Sequence, residues 1–171
     1  MKILDIPLLI NLTEQAKQNP RLRQNYNLHE SLEASCHRLL NAMEPGSYIR
    51  PHRHSHPQKQ EGFVALRGRL AVFIFDEQGG VQEIVRFGPR ESVVGVDIPT
   101  GVWHTVVSLA SGSVFYEVKA GPYLPVPLND SAHWAPKAGS EEATNYLDNL
   151  VDMVTRQNQN LPPNIEKPQM L

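Results

Sequence analysis

The chain has 171 residues, enough for one domain with a real core and too few for two comfortable ones. A hydrophobic fraction of 40%, a charged fraction of 20% and a net charge of -2 exclude wholesale disorder and give no global drive toward nucleic acid or an acidic membrane. A single cysteine, Cys36, excludes an internal disulfide and a thiolate zinc finger; without a catalytic partner in view it is expected to pack as a small apolar group.

In chain order, residues 1–12 carry an apolar stretch that Asp5, Pro7 and Asn11 interrupt, so neither a signal core nor a membrane span can be drawn there. A cytoplasmic protein without membrane or nucleic-acid partners is the expectation. Thr13 predicts the cap of a short helix over Glu14–Gln18, stopped by Pro20. Between Gly46 and Gly121, runs rich in Val, Ile, Phe and Tyr alternate with turn residues at the spacing of an antiparallel sandwich or barrel. The predicted strands are Ser47–His54, Gly62–Leu66, Leu70–Phe75, Val81–Phe87, Ser92–Ile98, Trp103–Ser108 and Ser113–Lys119, with Asp76–Gly80 as a hairpin loop. The stretch Leu32–Met43 fits helix and strand about equally by periodicity. Ser140 followed by Glu141 and Glu142 predicts the start of a C-terminal helix through Thr155, whose apolar stripe would pack on the barrel or across a homodimer interface. The polar, proline-bearing residues 157–171 are expected to form no structure.

The chemistry concentrates between Gly46 and Gly68. His52 and His54, two residues apart on an extended segment, point to the same side and can converge on one ion. Glu61 opens the next apolar run and could return a carboxylate to the same place, and His104 follows the Pro99–Gly101 turn. Three imidazoles and one carboxylate suit one divalent transition metal, Fe, Mn, Ni, Co or Zn, with positions left for water or substrate. His56 is an alternative ligand by parity or a plain loop residue beside Pro57. The same parity places Tyr48 and Arg50 on the side of His52, where the Arg50 guanidinium would pair with a substrate anion or with an internal acid such as Glu117. Lys59 would either reach the pocket mouth or stay exposed. Nine of the ten arginines lie between Arg21 and Arg90, which fits an anionic ligand or a solvated, paired surface.

Gly46, five residues, His52-Arg53-His54, then Glu61, six residues and Gly68 resemble the first motif of the cupin family, with a spacer of six residues before the acid where three or four are usual. Pro99, Gly101 and His104 match the centre of the second motif, with Ser108 where asparagine is usual and no counterpart of its leading glycine at Val93. More narrowly, Pro45-Gly46-Ser47-Tyr48-Ile49-Arg50-Pro51-His52-Arg53-His54, Lys59, Leu66-Arg67-Gly68, Phe75-Asp76 and Trp134-Ala135-Pro136 resemble the WbuC-type cupin fold metalloproteins, over residues 21–139.

The resemblance implies an all-β, double-stranded β-helix (jelly-roll) barrel with a short N-terminal helix and a C-terminal helix. Its parts would be an extension at residues 1–30, the barrel at 31–125, and a C-terminal loop, helix and flexible tail at 126–171. It implies His52, His54, Glu61 and His104 as metal ligands, tips Cys36–Met43 toward strand, and adds His29 and Arg38 as pocket groups. The candidate substrate contacts are thus Arg38, Tyr48, Arg50 and Lys59. The implied function is a metal-dependent enzyme acting on a small polar molecule, anionic or sugar-like, in polysaccharide (O-antigen-like) metabolism. A non-catalytic metal-bound sugar-binding or sensor module and a metal-free epimerase-like cupin stay open beside it.

Overall fold

In the computed structural model, which describes residues 1–159, the chain forms two antiparallel sheets with a helix on the outer face of each. Helix α1 spans Ile6–Gln18, followed by β1 (Arg23–Asn27), β2 (Cys36–Met43), β3 (Glu61–Arg67), β4 (Leu70–Phe75), β5 (Val81–Phe87), β6 (Gly95–Ile98), β7 (Trp103–Ser108) and β8 (Ser113–Ala120). A short 3-10 turn at Leu128–Asp130 precedes α2 (Glu141–Gln159). One sheet has the order β1-β2-β8-β3-β6 and the other β5-β4-β7. This is the all-β jelly roll with terminal helices that the sequence led us to expect.

The strand patterns decide the layers. On β4, Leu70 and Val72 turn toward the facing sheet and pack with Phe63, Phe87, Val106 and Phe115, while Ala71, Phe73 and Phe75 turn outward. Those outward residues would be exposed but for α2, whose Ala143, Leu147, Leu150 and Val154 cover them. The outer face of the five-stranded sheet, with Leu40, Ala42 and Val114, is covered by Leu9, Leu12 and Ala16 of α1. Each of these side chains is almost fully buried, which stabilises the fold by about 1.5–3 kcal/mol apiece for the larger ones.

Several predicted boundaries move. Helix α1 starts eight residues earlier than the Thr13 cap implied: Asp5 caps it, its carboxylate accepting the Leu8 N–H at 3.0 Å, and Pro7 sits in the first turn. Thr13 lies inside the helix, buried, its hydroxyl donating to the Ile10 carbonyl at 2.8 Å. The stripe Leu9, Leu12, Thr13, Ala16 has helical spacing but begins before the polar residue that looked like a cap. Residues 23–27, within the expected N-terminal extension, form an edge strand paired with β2. Cys36–Met43 is a strand, although Cys36 itself is exposed rather than packed. Helix α2 runs on to Gln159, four residues beyond the expected end and into the stretch expected to lack structure; the rest of that stretch, 160–171, lies outside the described residues. Most consequentially, residues 47–54 are not a regular strand. They make isolated bridges, His52 to His104 and His52 to Ser131. No helix among the described residues is long and apolar enough to cross a membrane.

Candidate metal centre

Three separate parts of the chain bring the histidines and the acid together. The Pro99–Gly101 turn, with Gly101 at φ +76°, delivers His104 onto β7. The Gly101 N–H and the Thr100 hydroxyl donate to the His54 carbonyl at 3.1 and 2.8 Å, so this turn also holds the first histidine segment. His52 and His104 exchange backbone hydrogen bonds, N to O, at 3.0 and 2.9 Å, which sets their rings 4.6 Å apart. Glu61 opens β3 opposite Ile98 of β6 and Lys119 of β8. As a result one ligand atom from each of His52, His54, Glu61 and His104 lies within 4.8 Å of the others, an arrangement that could hold a metal ion.

The hydrogen bonds around the rings fit that use. The Nδ1 atoms of His52 and His104 face the carbonyls of Arg50 and Val102 at 3.1 and 2.9 Å. A proton on Nδ1 donates there and leaves the Nε2 lone pair facing the cluster, the usual way a ligating imidazole is oriented. His104 Nε2 is buried without a hydrogen-bond partner and lies 3.9 Å from Glu61 Oε2, while His54 Nε2 rests against Glu61 Oε1. Orphaned buried nitrogen is costly in a native core unless something binds it. Electrostatics keep His52, His104 and Glu61 in ligating form. Burial, reinforced by the neighbouring His104, lowers the His52 imidazole to about 3, and burial likewise lowers His104. Burial alone would raise the Glu61 carboxyl, but His54, Lys119 and His104 outweigh it and hold it well below the ordinary carboxylate range.

Two residues that the sequence reading left aside support the centre. Lys119 Nζ sits 3.3 Å from Glu61 and 2.6 Å from Glu117, a half-buried cation between two acids. Burial would lower the ammonium, yet the two carboxylates raise it above its usual range. Burial pushes the Glu117 carboxyl up; it also accepts the Asn41 amide at 2.6 Å. Asp130, from the 3-10 turn, fixes the long spacer: its carboxylate accepts the Ser55 and His56 N–H groups at 2.9 and 3.3 Å and Arg53 Nε at 3.1 Å. Burial opposes ionisation of Asp130, but these hydrogen bonds prevail and hold it below the ordinary range. The position of Asp130, three-quarters of the way along the chain, leaves no local signal by which sequence could pair it with Ser55.

The other sequence-predicted residues divide. Tyr48 and Arg50 do not share the side of His52; the Tyr48 hydroxyl donates to the Pro136 carbonyl at 2.9 Å and Arg50 Nε to that of Ala135 at 3.1 Å, so both tie the segment to the α2 side. Parity fails here because residues 47–50 lack the regular pleat on which it rests, and Ile49 faces the cavity instead. Glu117 accordingly pairs with Lys119, not with Arg50. Arg38 lies between the inward His37 and Leu39 on β2 and lines an outer groove with Lys2, Val64 and Tyr116. Its backbone, not its side chain, meets His29. Lys59 is buried near His52 and His54, with its ammonium donating to the Pro122 carbonyl. His56 is exposed and outside the four-residue cluster, as the loop reading had it.

A cavity of about 390 Å³ opens from the centre along the inner face of the five-stranded sheet. Its wall includes His52, Glu61 and His104 at one end and Arg23, Asn25 and Asn27 at the other.

Comparison with known proteins gives a family model described as a domain of unknown function (DUF6016), matching residues 4–87. No curated protein matches the chain. Similar solved structures are cupin-domain proteins. One is a cupin 2 domain-containing protein from Halorhodospira halophila, at 13% identity, covering 83% of this chain and 84% of that one with a TM-score of 0.49. Another is a cupin-2 domain from Rhodospirillum rubrum, at 16% identity, 75% and 80% coverage and a TM-score of 0.49. A third is KdgF from Halomonas sp., at 16% identity, 62% and 84% coverage and a TM-score of 0.47.

Proposed function

We propose that this chain is a metal-dependent enzyme acting on a small polar molecule, with His52, His54, Glu61 and His104 as the ligands of one divalent transition metal. The observation that carries the reading is the convergence of four donor atoms within 4.8 Å, two of the imidazoles having Nδ1 tied to backbone carbonyls. When bound, such an ion polarises a substrate oxygen or activates a water. The protein's own contribution is to keep the His52 and His104 imidazoles neutral by burial and to keep Glu61 ionised beside Lys119. Glu117, buried at the cavity wall with its carboxyl raised, is placed to hold a proton near the centre. A sugar or sugar-nucleotide derivative is the substrate class we favour, on the polar lining of the cavity; a place in polysaccharide metabolism rests on the WbuC resemblance over residues 21–139 alone.

The test is metal content and turnover. Protein purified without an affinity tag should carry stoichiometric divalent metal by elemental analysis, and the double variant His52→Ala/His104→Ala should carry none while keeping its β-sheet circular dichroism. Unchanged metal content in that variant would overturn the ligand assignment. A metal-loaded protein that turns over nothing in a sugar-nucleotide and oxygen-consumption screen would instead be a binding module.

A further inference from the structure

The cavity continues well past the four candidate ligands, and the sheet register gives its course. Inward-facing side chains form rows across the strands: Glu61, Lys119 and His37 in one; Phe63, Glu117, Leu39 and Asn27 in the next; Ala65, Phe115, Asn41 and Asn25 in the third. From β3 to β1 there are three strand steps. At the usual spacing between neighbouring strands this is about 14 Å. A ligand that touches Glu61 and also fills the far end is therefore extended.

Beside the Arg23 guanidinium, the far end is lined by neutral hydrogen-bonding groups. Asn25 and Asn27 alternate along β1 onto the cavity side, and among the described residues neither side-chain amide makes a hydrogen bond. His29, just beyond β1, also lines the cavity and is only 6% exposed, its ring stacked on His37 with centroids 4.1 Å apart. Its Nδ1 is taken up by the backbone of Arg38, N–H at 3.2 Å and carbonyl at 3.0 Å. Its Nε2 is buried with no partner among the described residues. Whichever nitrogen carries the proton, Nε2 presents an unmatched donor or acceptor, and a hydroxyl group can satisfy either. The formal charges along the wall balance in number, Glu61 and Glu117 against Lys119 and Arg23: Lys119 lies between the two acids, while Arg23 makes no ion pair among the described residues and donates to the Tyr48 carbonyl at 2.8 Å and to the Ser47 hydroxyl. Beside and opposite these polar groups, Ile49, Phe63, Val106 and Phe115 offer apolar surface that suits ring C–H groups.

We propose that Asn25, Asn27 and His29 form a subsite for the hydroxyl groups of a neutral saccharide longer than one ring, whose other end lies at the His52–His54–Glu61–His104 cluster. The placement of that other end rests on the function proposed above; the subsite does not.

The test follows side-chain amide resonances of the full chain by ¹⁵N–¹H correlation spectroscopy, in metal-free and zinc-loaded protein. The probes are cellobiose and maltotriose, with glucose and glycolate as controls. The Asn25 and Asn27 amide signals should move with the two longer saccharides more than with glucose, and should stay still with glycolate. Asn25→Ala and Asn27→Ala, both exposed and so harmless to folding, should each weaken binding roughly three- to tenfold, the size of one net hydrogen bond. Still amide signals with both saccharides, or equal movement with glycolate, would overturn the subsite even in protein that takes up zinc. Saccharide shifts in protein that binds no metal would keep the subsite and overturn the metal reading.

Discussion

The Lys119→Met variant probes the electrostatics of the centre most directly. Methionine keeps the length and apolar stem of lysine but removes the ammonium that lies 3.3 Å from Glu61 and 2.6 Å from Glu117. Two carboxylates, 3% and 10% exposed, are then left without their shared cation. Removing one partner of a buried ion pair costs about 3–5 kcal/mol. Because the lysine side chain keeps 24% of its exposure, the lower end applies, about 3 kcal/mol. For a domain of this size that lowers Tm by about 6–12 °C. The measurement is urea denaturation in EDTA, so that bound metal does not offset the loss. Adding Glu117→Gln removes the second acid, and the double variant should recover more than about 1 kcal/mol relative to the sum of the single changes. A single-variant cost below about 1 kcal/mol, or strictly additive effects, would refute the shared-cation account.

Stability of the metal-free protein should fall on acidification. The folded-state pKa of His52 is about 3 and that of His104 is also depressed, so below the unfolded value near 6.5 the unfolded chain binds protons that the folded one does not. Each group then contributes a loss approaching about 1.4 kcal/mol per pH unit between roughly pH 6 and the folded value, and a flat profile from pH 7 to 5 in EDTA would contradict the buried neutral imidazoles. Gly68→Ala should destabilise strongly, by about 2 kcal/mol or more, because Gly68 has φ +77° and an added Cβ would come within 2.6 Å of Ser113 Cα; a melting temperature within a degree or two of the parent would show that the β3–β4 corner can relax.

How much of this was legible depends on the range of the signal. Leu70–Phe75, Val81–Phe87 and Trp103–Ser108 keep their predicted bounds because each is a short run bearing Val, Ile, Phe or Trp and closed by turn residues. The strand β1 was not predicted: Arg-Gln-Asn-Tyr-Asn has no apolar alternation, since this edge strand presents its amides to the cavity and is held by pairing with β2. Helix α1 carried a sound apolar stripe, and only the choice of cap was misplaced.

By itself the sequence determined an antiparallel sandwich or barrel, through the spacing of apolar runs and glycine turns; its resemblance to the cupin motifs narrowed this to a jelly roll and singled out the four residues that converge. Tertiary structure decided which neighbours join them. Tyr48 and Arg50 left the site because residues 47–50 lack a strand's alternation. Lys119, Glu117, Asp130 and the β1 asparagines entered because strand pairing and a distant turn bring together residues that are remote along the chain. Periodicity reports a residue's own face; only the register between strands reports what stands opposite it.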